Sequence, residues 1–155
     1  MFVLLNQLRQ VRREVAAPPP VAHGSLALRH VDAGSCNGCE HELIAAANPF
    51  YDLSQYGLGI VASPRHADVL LVTGAITTRM QPALLAAHDA MPEPRLVAAL
   101  GNCALGRTLL GQPDQLAGAL EQILPVDLRI PGCPPTPPTI AAALIDAIQQ
   151  RSRGH

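Results

Sequence analysis

The sequence predicts an α/β domain built on a mostly parallel sheet. Three observations carry this. Several short runs are apolar without alternation, as strands covered on both faces require. Helix-like segments separate these runs. Glycine or proline closes nearly every run.

The elements follow in chain order. Residues 1–15 read as a short amphipathic helix, with Phe2, Leu5, Leu8 and Val11 at three-residue steps and Arg9, Arg12 and Arg13 toward its end. It either docks on its own core or lies on a partner or membrane surface. Pro18–Pro20 then stop any helix and favour extended geometry, so this reads as a stiff linker. Strands are expected over 26–31, 58–62, 68–73, 96–100 and 126–130. Helices are expected over 40–47, 81–90, 115–124 and 139–150. Pro82 is tolerated in a first helical turn, whereas Pro125 ends the segment before it. The organisation is therefore residues 1–24 as helix and linker, 25–150 as the domain, and 151–155 as a tail.

Composition narrows the function. The chain has 155 residues, 48% hydrophobic and 15% charged, with a mean hydropathy of +0.20. A disordered chain needs the reverse balance. So little charge implies surface covered by partners. The net charge is −1, and all 11 basic residues are arginine, mostly scattered. Only Phe2, Phe50, Tyr51 and Tyr56 offer rings for stacking on bases, so nucleic-acid binding is set aside. No apolar stretch reaches the length of a membrane span. Arg12–Arg13 precede a glutamate and prolines rather than an apolar core, which is not an export signal. The expected location is the cytoplasm, where structural disulfides are rare.

The chemistry lies in Cys36, Cys39, Cys103 and Cys133. Each lies just after a predicted strand end, in a loop bearing glycine or proline: four cysteines at four strand ends, with none left over. Parallel strands gather such loops on one edge, where open α/β folds place ligands. A thioredoxin-like pair would use Cys36 and Cys39 and leave two thiols idle. Four-cysteine zinc sites usually have two close pairs, but here Cys103 and Cys133 stand far apart in sequence. An iron–sulfur cluster uses four thiolates in a confined apolar setting. On spacing and context all three remain open.

Four motifs, in order, carry a resemblance. They are Ser35-Cys36-Asn37-Gly38-Cys39-Glu40, the run from Ser63-Pro64-Arg65-His66 to Val72-Thr73-Gly74, Gly101-Asn102-Cys103-Ala104, and Pro131-Gly132-Cys133-Pro134-Pro135. Over roughly residues 25–150 the chain resembles the small cluster-bearing subunit shared by complex I (its 20 kDa subunit) and the membrane-bound NiFe hydrogenases. The resemblance implies a flavodoxin-like three-layer domain with one 4Fe–4S cluster on Cys36, Cys39, Cys103 and Cys133, and no catalytic residue of its own. Complex I typically carries two adjacent cysteines in the first motif. Asn37-Gly38 separates them here, as in hydrogenases of the formate hydrogenlyase and energy-converting type, and the short length fits that branch.

The implied role is electron relay between ferredoxin-like subunits and the NiFe site of a large subunit. The complex would include integral membrane subunits, and this chain would sit peripherally on the cytoplasmic face of the cell membrane. Two alternatives stand beside it. One is a complex I-like subunit that meets a 49 kDa-like partner and delivers electrons to quinone. The other is a zinc-stabilised structural subunit. Glu40, Arg65 and His66 lie in the motifs, and His41 and Glu42 just after the first, all without an assigned role; Tyr51 and Tyr56 are expected to pack.

Overall fold

The computed structural model describes residues 24–153. The expected N-terminal helix and most of the 1–24 segment lie outside the described residues.

The strands are β1 (Leu26–Asp32), β2 (Leu58–Ile60), β3 (Val69–Thr73), β4 (Ile76–Thr77), β5 (Leu96–Leu100), β6 (Leu116–Gly118) and β7 (Leu128–Ile130). The α-helices are α1 (Gly38–Ala46), α2 (Gln81–Asp89) and α3 (Pro137–Arg153). Five strands form one sheet in the order β2-β1-β3-β5-β7, and all its pairings are parallel. Without the small β4–β6 ribbon this is the flavodoxin-like strand order.

β3 explains the architecture. Its sequence Val-Leu-Leu-Val-Thr is buried at every position, as a central strand covered on both faces must be. Side chains alternate between faces. Val69 and Leu71 join Leu28, Leu43, Ile140, Leu144 and Ile148, which places α1 and α3 on one face. Leu70 and Val72 join Leu84, Met91, Leu120 and Leu124, which places α2 and a 3-10 turn on the other. Ile140, Leu144 and Ile148 recur every four residues and form the buried stripe of α3. Pro137 and Pro138 open α3, where missing N–H groups cost no helical bond. The helix runs to Arg153, past the expected boundary at residue 150.

One expected element is absent. Residues 115–124 form no α-helix; they hold β6 and a 3-10 turn at Leu120–Gln122. Gly118 adopts φ 114°, incompatible with a helix. The backbone instead pairs antiparallel with β4, Ile76 opposite Gly118, and Leu120 N–H donates to Ala104 O at 3.0 Å. Tertiary hydrogen bonds override local propensity here.

Candidate metal centre

Parallel pairing brings the carboxyl ends of β1, β3, β5 and β7 to one edge of the sheet. The first loop is set by Asp32, whose Oδ1 accepts from Gly34 N–H (2.9 Å) and Ser35 N–H (2.8 Å). The chain after β3 crosses here. A Cβ on Gly74, at φ 81°, would lie 2.6 Å from the backbone of Gly34 and Ser35. Gly34 O accepts from Ala75 N–H at 3.0 Å, and Ala33 O from Thr77 N–H at the same distance. Asn37 then takes a left-handed conformation, φ 65°, which asparagine tolerates better than most residues. That turn feeds α1 and places Cys39 in its first turn.

The loops after β5 and β7 are tied together. Gly101 N–H donates to Ile130 O and Asn102 N–H to Gly132 O, both at 2.8 Å. Asn102 Oδ1 accepts from Gly132 N–H at 3.0 Å. Cys103 and Cys133 are therefore held beside each other although 30 residues separate them. The first loop meets this pair. A Cβ on Gly101 would stand 2.5 Å from Cys39 Sγ, and one on Gly38 would stand 3.5 Å from Cys36 Sγ and 3.9 Å from Pro134.

The expectation of one cysteine per strand end is thus corrected: Cys36 and Cys39 share the end of β1, so three ends contribute and β3 supplies the crossing at Gly74. All four thiols are free, with Cys36 and Cys133 exposed and Cys39 and Cys103 half-buried. The Cys39 thiol is pushed up to about 12, chiefly by burial, then by the negative charge of Glu40, then by Cys103, Cys36 and Cys133. All three other cysteines thus lie within electrostatic reach of Cys39. No three His, Cys, Asp or Glu side chains among the described residues close on one point as ligands of a single ion.

Beneath Cys39 sits a polar group that the sequence reading only half identified. Thr73 Oγ1 donates a short hydrogen bond to Glu40 Oε1. Its single proton is thereby used, so His30 Nε2, 2.9 Å away, donates to Thr73 Oγ1. His30 Nε2 also lies 3.6 Å from Glu40 Oε1. Sequence singled out Glu40 but not His30 or Thr73; one polar residue near the end of an apolar strand is a weak signal. Arg65, His41 and His66 are exposed and join no part of the centre. Tyr51 meets Phe50 edge-on at 4.9 Å, and Tyr56 packs against the core.

Burial is the main cause that lowers the His30 pKa below 6.5, outweighing the raising effects of Glu40 and Asp32. Between the lowered value and 6.5 the unfolded chain binds a proton that the folded chain refuses. The stability His30 permits is thus present above 6.5 and is lost as pH falls through that window. The melting temperature of the metal-free chain is expected to drop between about pH 7.5 and about pH 5.5, and His30→Gln to flatten part of that drop. Parallel curves for the two proteins would contradict the assignment.

Comparison with known proteins matches residues 36–147 to the family of the NADH ubiquinone oxidoreductase 20 kDa subunit. The chain is similar to the probable membrane-bound hydrogenase subunit mbhJ of Pyrococcus furiosus, at 40% identity over 124 residues, 80% of this chain and 74% of that one. It is also similar to formate hydrogenlyase subunit 7 of Escherichia coli, at 43% identity over 107 residues, 69% of this chain but 42% of that longer protein. Among solved structures it resembles a chain of the membrane-bound sulfane sulfur reductase, an archaeal respiratory complex, with a TM-score of 0.68, 27% identity and coverage of 81% and 71%. An NAD+-reducing NiFe hydrogenase shares the fold alone, with a TM-score of 0.63, 18% identity and coverage of 81% and 92%. Among the described residues no helix is long and apolar enough to cross a membrane. The motifs, strand order and matched span agree: this chain belongs to the family of the 20 kDa subunit of NADH:ubiquinone oxidoreductase, with relatives in membrane-bound hydrogenase and formate hydrogenlyase complexes.

Proposed function

We propose that Cys36, Cys39, Cys103 and Cys133 hold one 4Fe–4S cluster, and that the chain relays electrons between ferredoxin-like subunits and the NiFe site of a large subunit. The observation that supports this most is the gathering of all four thiols on one sheet edge from three separate loops. When bound, such a cluster takes up and releases electrons singly. The chain's own part is to bind and confine. Gly101 leaves room beside Cys39 Sγ that any side chain would fill. Asn102 clamps the loops of Cys103 and Cys133. The half-buried Cys39 draws one side of the site toward the apolar core.

A thioredoxin-like pair would use Cys36 and Cys39 and leave the neighbouring Cys103 and Cys133 idle. The Cys39 thiol, held far above neutrality without a metal, keeps its proton. Metal binding draws that proton off, since the thiolate is the ligand. The membrane-bound hydrogenase names of the relatives favour a peripheral place in a membrane complex, on its cytoplasmic face, with a NiFe-bearing large subunit and integral membrane subunits as partners. Asn37-Gly38 between the first two cysteines favours that branch over a quinone-reducing one.

Reconstitution of the full chain without oxygen tests the reading. About four irons per chain and a broad absorption near roughly 400 nm that bleaches on reduction are expected. Colourless protein with one stoichiometric zinc would overturn the cluster. A co-purifying large subunit bearing two Cys-x-x-Cys motifs would support the hydrogenase assignment, and one lacking them the quinone-reducing alternative.

A further inference from the structure

Glu40 follows Cys39 directly, yet its carboxylate turns inward, away from water. Its side chain is 14% exposed. Oε1 is held by Thr73, while Oε2 is buried with no hydrogen-bond partner among the described residues. A buried carboxylate oxygen without a donor is costly, and nothing in the packing of α1 on the sheet requires an acid here: Leu43 and Ala46 bury the helix face. Neighbouring groups do little to neutralise it. His30, the nearest base, donates from Nε2 to Thr73, and burial opposes its taking up a charge. Arg29, one position earlier on β1, donates from Nη1 to Ala62 O instead. The carboxylate thus keeps most of its field in a medium of low dielectric, where charges act further than in water.

We infer that Glu40, held by the Thr73–His30 bracket, is a positioning residue that sets the reduction potential of the site formed by the four cysteines. The inference rests on the proposed cluster. An electron arriving beside a fixed negative charge is disfavoured, so Glu40 lowers the potential. Charge near a cluster, hydrogen bonding and exposure are the levers by which a protein makes such adjustments. The bracket's contribution is to keep the carboxylate turned inward: without Thr73 and His30 it would rotate toward solvent and its field would be screened.

The test uses the full chain, reconstituted anaerobically, with iron counted and the midpoint read by dye-mediated titration. Glu40→Gln keeps the shape and an acceptor for Thr73 but removes the charge, and its midpoint is expected to rise with iron content unchanged. Glu40→Asp keeps the charge but shortens the reach to Thr73, and its midpoint should stay nearer to that of the unsubstituted chain. A role in packing alone predicts the opposite order, because glutamine is the better mimic of shape. If Glu40→Gln fails to load, His30→Arg decides the matter. It leaves the ligand loop untouched and sets a permanent positive charge beside the same carboxylate, so its midpoint should rise. Loaded variants with an unchanged midpoint, or Glu40→Asp shifted as far as Glu40→Gln, would overturn the inference and leave the cluster standing. An unsubstituted chain that binds no iron would overturn both.

Discussion

Cys103→Ser is expected to lose the cluster or convert it to a form with fewer irons, cutting the count from about four per chain to about three or below. Serine has nearly the same size, so the fold should survive: Cys103 is half-buried in a loop, and the backbone around it is held by Asn102 and Gly106, not by the thiol. The change is chemical. A hydroxyl is a hard ligand that does not ionise at neutral pH, whereas iron–sulfur chemistry selects soft thiolates. Iron analysis alongside a far-ultraviolet spectrum checks the prediction. An unchanged spectrum with lost iron makes Cys103 a ligand; an unchanged iron count removes it from the set. Because no spare cysteine is present, no other thiol can take its place.

Gly101→Ala is expected to damage both stability and loading without altering a ligand. Gly101 adopts φ 89°, and a Cβ there would stand 2.5 Å from Cys39 Sγ. The conformation alone costs an L-residue about 1–3 kcal/mol. The contact adds to this, because Gly101 is anchored by its bond to Ile130 O and Cys39 by its place in α1. Neither can retreat cheaply, so the sulfur must be displaced. A lowered melting temperature in the metal-free chain, with iron content well below that of the unsubstituted protein, is the expected result. Full loading would show that the close approach of β5's end to Cys39 is not needed.

These two residues also show what a sequence makes legible. The cysteines stand out by type and by their loops, and the buried strands by their unbroken apolar runs: Val69–Thr73 could hardly be read otherwise. The approach of Gly101 to Cys39 is invisible in one dimension. It arises from the parallel register that sets β3 between β1 and β5, and register is a property of the whole sheet. The same holds for His30 and Thr73, 43 residues apart and joined only by that pairing. The β4–β6 ribbon escaped for a different reason. Residues 115–124 carry a helix-like apolar spacing, and Gly118 is the one local sign against it. A lone glycine weakens a helix without forbidding it, so only the hydrogen bonds from a distant strand decide the outcome.

The clamp between Asn102 and Gly132 has a consequence for how such a chain tolerates change. Three hydrogen bonds fasten residues 101–102 to 130–132, so the distance between Cys103 and Cys133 does not depend on the route the chain takes between them. The exposed stretch from Leu109 to Gln112 can then gain or lose residues for little more than the slow rise in loop-closure entropy. Length can vary at that exposed turn while the spacing of the sulfurs stays as the clamp sets it.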